Sequence, residues 1–113
     1  MHHPSRGEVW IATLDPVVGH EQANTRPVLV VSVDPFNHGP AELAIVLPIT
    51  SVAKRVSSHV RVDPPEGGLK IRSYVKYEDI RSISTQRLGR RLGRVSPATM
   101  AEVEDRLRLV LGL

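Results

Sequence analysis

LDPVVGHEQANTRPVLVV, residues 14–31, decides how the rest of the chain is read. Its first half carries turn chemistry, with Asp15-Pro16, Gly19 and Asn24 at positions that favour tight or unusual backbone. Its second half, from Pro27, is a β-branched run that continues as VLVVSV and is apolar on both faces, as a central strand is. A polar loop over 15–25 therefore feeds a core strand. Arg26 stands at the junction, immediately before Pro27. Taken alone, such an arginine fits an ion pair with Glu21 or Asp15 as readily as an anion site.

On either side of this stretch the pattern is also that of strands. GEVWIAT (7–13) alternates, with Val9 and Ile11 on one side. Pro35, Asn37, Gly39 and Pro40 mark a turn cluster, and ELAIVLPI follows as a third strand whose Pro48 calls for an edge or a bulge. HVRVD alternates, PPEGG breaks the chain, and SYVKYEDIRSI reads as two short strands around Glu78 and Asp79 or as one bulged strand. Ser84-Thr85 can cap a single turn at Gln86-Arg87-Leu88. The clearest helix is the last: Ser96 as N-cap, Pro97 at the first position, and an apolar stripe of Met100, Val103, Leu107, Val110 and Leu111 before Gly112. Five short strands and a terminal helix predict a small, strongly curved, mostly antiparallel barrel in a single domain spanning 1–113.

Composition narrows the function classes. The chain has 113 residues, a formal net charge of +3 and no cysteine, so neither a disulfide nor a thiolate nucleophile is available. Twelve of its 15 basic residues are arginines, whose planar fork suits phosphates. No apolar stretch approaches the length that crosses a bilayer, and the expected location is the cytoplasm, away from membranes. Phosphate-loop and dinucleotide fingerprints are absent. His38 and His59 have no ligand-spaced neighbour, His20 and Glu21 are merely adjacent, and no metal or other cofactor is expected. Ser51 and Ser73 lack a recognisable His-Asp arrangement.

Three features remain: Arg26, the strand end PITS with Thr50 and Ser51, and the run RSISTQRLGRRLGR (81–94), which holds five arginines and no acid. Singly, each has an ordinary structural explanation: an ion pair, a strand-end hydroxyl, a solvated face. Together they occur in a particular order. RGEVWIATLDP, GHEQANTRPVLVVS, VLPITS and GGLKIRSYVKYEDIRSISTQRLGRRLG, followed by a helix ending in LGL, resemble the MazF/PemK-like toxins of bacterial toxin–antitoxin systems over nearly the whole chain.

That resemblance implies a mostly β, SH3-like barrel of the MazF/CcdB-like toxin fold with a C-terminal α-helix. It implies a homodimeric, sequence-specific, metal-independent endoribonuclease that cuts single-stranded RNA, as an mRNA interferase does, and arrests growth. It also implies a cognate MazE-like antitoxin with an acidic C-terminal segment. The family's essential arginine and threonine fall on Arg26 and Thr50. Its loop glutamate falls on Glu21, and His20, Gln22, Ser51, Ser73, Arg87, Arg90 and Arg91 become candidates for substrate binding or loop support. Arg72 stands where many members carry proline or an acid before the serine, so the cleavage sequence does not transfer. Two readings stand beside the nuclease: a non-catalytic gyrase poison of the same barrel class, and an RNA-binding module. Neither needs the Arg26–Thr50 pair.

Overall fold

The computed structural model describes residues 3–14, 25–53 and 59–113. Seven strands run β1 (Glu8–Thr13), β2 (Thr25–Val30), β3 (Leu43–Thr50), β4 (Val60–Val62), β5 (Ser73–Val75), β6 (Arg81–Ser84) and β7 (Leu88–Arg94). A four-residue helix, α1 (Asp34–Asn37), follows β2, and α2 (Pro97–Leu111) ends the chain. The sheet is antiparallel in the order β4-β5-β3-β2-β1-β7, with β6 also on β3, and it curls into a half-barrel. Among the described residues no helix is long and apolar enough to cross a membrane.

Pro48 explains the curl. β3 pairs with β6 through Leu43–Val46 and with β5 through Ile49 and Thr50. Pro48 lies between, where no partner needs its missing N–H, and its carbonyl accepts a hydrogen bond from the Lys76 backbone at 2.9 Å. The change of partner lets one long strand belong to both halves of the sheet. SYVKYEDIRSI accordingly forms two strands, β5 and β6, separated by a single 3-10 turn at Tyr77–Asp79.

Both faces of the central strands are buried, as the continuous apolar runs require. Val9, Leu29, Leu47, Ile49, Val75 and Val103 belong to one cluster; Trp10, Ala12, Val28, Val30, Val46 and Leu88 belong to the other. β2 includes the two residues before Pro27, because Thr25 and Arg26 pair with Thr13 and Ala12 of β1. It ends at Val30, and Ser32 is drawn into a turn by its hydrogen bonds to Asn37 and the Ile45 backbone. The expected turn cluster at 35–40 contains α1.

The C-terminal helix is capped as expected. The Ser96 side chain accepts from the Thr99 backbone at 3.1 Å, and Gly112 adopts the left-handed conformation. Glu66 anchors the helix start by accepting from the Ser96 backbone at 2.9 Å and the Thr99 hydroxyl at 2.5 Å. The apolar stripe is shorter than predicted. Val103 is fully buried and Met100 and Leu107 partly, but Val110 and Leu111 are each 50% exposed. The helix packs on β4 and the 77–79 turn, and its last turn runs past them.

Candidate active site

Neighbouring ends of β2 and β3 carry Arg26 and Thr50 into one cleft. β2 and β3 are antiparallel, with Val30 opposite Val46 and Val28 opposite Pro48. The paired stretch ends there, and Arg26 and Thr50 stand two residues beyond it, each on its own strand. Both line a cleft of about 480 Å³ at this end of the sheet, with Ile11, Pro27 and Ile49 supplying apolar surface. The Thr50 hydroxyl accepts from the Val52 backbone at 3.1 Å, which leaves its proton available to a ligand. Ser51 lies exposed on the same rim.

Two glycines build the wall from Leu69 to Ser73. Gly68 has φ +71°, and a Cβ there would sit 2.0 Å from the Leu92 carbonyl oxygen. A Cβ on Gly93 would lie 2.7 Å from the Gly68 nitrogen. The chain therefore crosses β7 at backbone contact distance, carrying Leu69, Lys70, Ile71 and Ser73 to the cleft beside Arg90 and Leu92. Ser73 is buried, and its hydroxyl donates to the Ile71 carbonyl at 2.9 Å, fixing this wall's last turn.

β7 divides the arginine-rich run into separate roles. Arg91 pairs with Trp10 and Leu88 with Ala12, so both Gly89 and Arg90 fall opposite Ile11; Leu92 is likewise extra between Arg91 and Gly93. These bulges turn Arg90 and Leu92 toward the cleft, while Arg91 and Leu88 stay with the opposite face. There Glu8 collects the neighbours: it accepts from the Ser5 backbone at 2.7 Å, the Trp10 indole at 3.1 Å and Arg91 at 2.8 Å, with Arg94 at 3.8 Å. Burial pushes the Glu8 carboxyl up, but the Ser5, Trp10 and Arg91 hydrogen bonds and the Arg91 charge outweigh it, and the net shift is downward. Trp10, only 8% exposed, is thus a core residue whose N–H is satisfied.

Of the sequence candidates, Arg26, Thr50, Ser51, Ser73 and Arg90 converge on the cleft. Arg91 is held by Glu8, and Arg87 donates to the Thr13 carbonyl at 3.3 Å; neither lines the cleft. The acid partner of Arg91 is on β1, whereas Glu104 of the C-terminal helix is bonded by Arg6. His20, Glu21 and Gln22 lie outside the described residues. Lys70, Ile71 and Leu92 line the cleft and were missed; the Gly67-Gly68 pair was the available signal, because close backbone crossings need glycine. His59 is structural: it is buried, with Nε2 2.8 Å from Glu78. Among the described residues no group of three or more His, Cys, Asp or Glu side chains is placed to hold a metal.

A curled antiparallel sheet whose strand ends present an arginine and a threonine in a cation-bearing cleft is the architecture of a small toxin barrel. Residues 5–111 match the family of PemK-like, MazF-like toxins of type II toxin–antitoxin systems, and the chain belongs to that family. Its relatives include endoribonuclease MazF9 of Mycobacterium tuberculosis, 41% identical over 96% of each chain. Endoribonuclease PemK of Escherichia coli is 39% identical over 94% of this chain and 80% of its own. Among solved structures, MazF from Deinococcus radiodurans superposes with a TM-score of 0.83 at 28% identity over the whole of both chains. A MazE–MazF structure from the same organism gives 0.86 at 28% identity, over 100% of this chain and 99% of that one.

Proposed function

We propose that this chain is an endoribonuclease toxin that cleaves single-stranded RNA at Arg26 and Thr50, without a metal, by attack of the RNA's own 2′-hydroxyl. The observation that carries the reading is that Arg26 and Thr50 line one cleft, in a chain whose relatives at 31–41% identity are named endoribonucleases. Those names favour the nuclease over a gyrase poison.

In the reaction the 2′-oxygen bonds to phosphorus and the bond from phosphorus to the 5′-oxygen breaks. A base accepts the 2′ proton, and an acid supplies one to the departing 5′-oxygen. The products are a 2′,3′-cyclic phosphate and a 5′-hydroxyl. Arg26 can bind two phosphate oxygens with its fork and neutralise charge that builds on them. Guanidinium groups stay protonated through the physiological range, so charge stabilisation suits it better than proton abstraction. Thr50 donates its free proton to a non-bridging oxygen. His20 is the candidate proton carrier, since imidazole titrates near neutrality. A cytoplasmic homodimer restrained by a cognate antitoxin with an acidic segment completes the reading; it draws on the solved endoribonuclease–antitoxin and MazE–MazF complexes.

The test is incubation of purified protein with a long RNA in excess chelator. Discrete fragments support the proposal, and a single 2′-deoxynucleotide at a mapped cut site should block that cut. Retarded RNA without fragments would mean a binding module, and cleavage at the deoxy position would mean that water is the nucleophile.

A further inference from the structure

Among Arg87 and the arginines of β7 there is one exception. Arg91 and Arg94 lie against Glu8, and Arg87 meets a backbone carbonyl. Arg90 is exposed and makes no ion pair or side-chain hydrogen bond with the described residues. Lys70, on the wall that the glycine crossing carries against β7, is in the same condition. Both line the cleft that contains Arg26 and Thr50. Two uncompensated cations in one cleft repel each other and gain nothing from the fold; an anion between them reverses the sign. The β7 bulges aim Arg90 there, while Arg91 and Arg94 share Glu8 away from the cleft and Arg87 is tied to a backbone carbonyl, so Arg90 is the arginine of the 81–94 run that lines the cleft. Beside the pair, Ile71 is 60% exposed on the same wall, an apolar surface against which an unpaired base can lie.

We propose that Lys70 and Arg90 form a second phosphate clamp, which grips a phosphate flanking the scissile one and so positions a single strand of RNA across Arg26 and Thr50. The proposal rests on the ribonuclease reading. Arg26 and Thr50 belong to the ends of β2 and β3, whereas the clamp belongs to β7 and the chain that crosses it. One element pair holds the reacting phosphate; the other sets where the neighbouring nucleotide lies. Lys70 and Arg90 are positioning residues, and their loss should weaken binding of substrate and transition state alike.

The experiment uses the full chain and an oligoribonucleotide spanning a mapped cut site, in cleavable form and with a 2′-deoxynucleotide at the cut. Arg90→Gln and Lys70→Gln should each raise KM about tenfold, the scale of one charged hydrogen bond, and leave kcat nearly unchanged. For the uncleavable oligonucleotide, the slope of log affinity against log salt should fall by roughly 0.7 in the Lys70→Gln, Arg90→Gln double variant, the share of the one phosphate the pair neutralises, and by less in each single variant. Arg90→Lys and Lys70→Arg should restore most of that slope. A neutral methylphosphonate at the clamped linkage should bring the wild type down to the double variant and leave the double variant unaffected. Arg91→Gln should lower the melting temperature without changing the slope. A loss in kcat at unchanged KM, or equal sensitivity of wild type and variants to the neutral linkage at every position, would overturn the clamp. So would unchanged RNA binding with weakened binding of an acidic peptide, which would assign the pair to a protein inhibitor. If the wild type leaves RNA uncut, the nuclease reading fails, while the salt slopes on a single-stranded oligoribonucleotide of arbitrary sequence still decide the clamp.

Discussion

Gly68→Ala should be among the most damaging single-methyl changes in this chain, and Gly112→Ala supplies its internal control. The two glycines have the same backbone conformation, φ +71° and +72°. A non-glycine residue there costs roughly 1–2 kcal/mol from the clash of Cβ with its own backbone. At Gly112 that is the entire cost, because nothing lies within 4 Å of the added carbon. Fraying of the helix end sets an upper limit on it. At Gly68 the added carbon meets the Leu92 carbonyl oxygen at 2.0 Å and its carbon at 2.5 Å, and backbone cannot rotate out of the way as a side chain can. Forcing the crossing apart adds roughly 1–3 kcal/mol, as overpacking does. Gly68→Ala should therefore cost about 2–5 kcal/mol, against a total stability of roughly 5–15 kcal/mol for a domain. Urea denaturation of the two variants and the wild type measures the difference. The displaced wall should also disturb the cleft, so cleavage per folded molecule should fall in Gly68→Ala and hold in Gly112→Ala. Equal destabilisation of both variants would refute the argument that the crossing, and not the dihedral angle, demands glycine.

Stability should decline as pH falls below the ordinary glutamate range. At Glu8 and Glu66, burial raises the carboxyl but hydrogen bonds from Ser5, Trp10 and Arg91, and from Thr99 and Ser96, lower it more. A depressed folded-state value stabilises above the unfolded value and is lost on protonation, so melting temperature against pH should flatten at the acid end in a Glu8→Gln, Glu66→Gln double variant. A Glu8→Gln and Arg91→Gln cycle should show a coupling of roughly 1 kcal/mol or less, because the Arg91 side chain is 49% exposed and solvent screens the pair. Val103→Ala should cost on the order of 2 kcal/mol, while Leu111→Ala should stay within about 0.5 kcal/mol; a larger loss at Leu111 would mean that something covers the helix end in solution.

What the sequence revealed followed the regularity of each segment. VLVV announced a central strand because burial on both faces leaves a continuous apolar run, and ELAIVLPI announced a strand that Pro48 makes irregular at its end. Ser96-Pro97 and Gly112 announced the helix ends through local capping chemistry. β7 stayed hidden: two bulges erase the two-residue alternation, and arginines and glycines fill the positions where apolar residues would signal a strand. The partners of Arg91 were unreadable for a related reason. Glu8 is 83 positions away, and only the pairing of the first and last strands brings it near. Arg26 and Thr50 were singled out as residues, but their sharing of one cleft is a fact of the folded sheet, legible only once β2 and β3 are known to pair. The helix stripe was over-read at Val110 and Leu111 because periodicity shows which face a helix buries and says nothing about where its support ends.

Single-turnover cleavage by Arg26→Ala tests the central claim most directly. With folded fractions matched by circular dichroism and excess chelator present, the rate should fall roughly 100-fold or more, the scale of one lost oriented donor to a developing oxyanion. Arg26→Lys should recover little of it, because a point charge lacks the two-pronged geometry. Cleavage by Arg26→Ala at the wild-type rate would remove Arg26 from the chemistry and contradict the account.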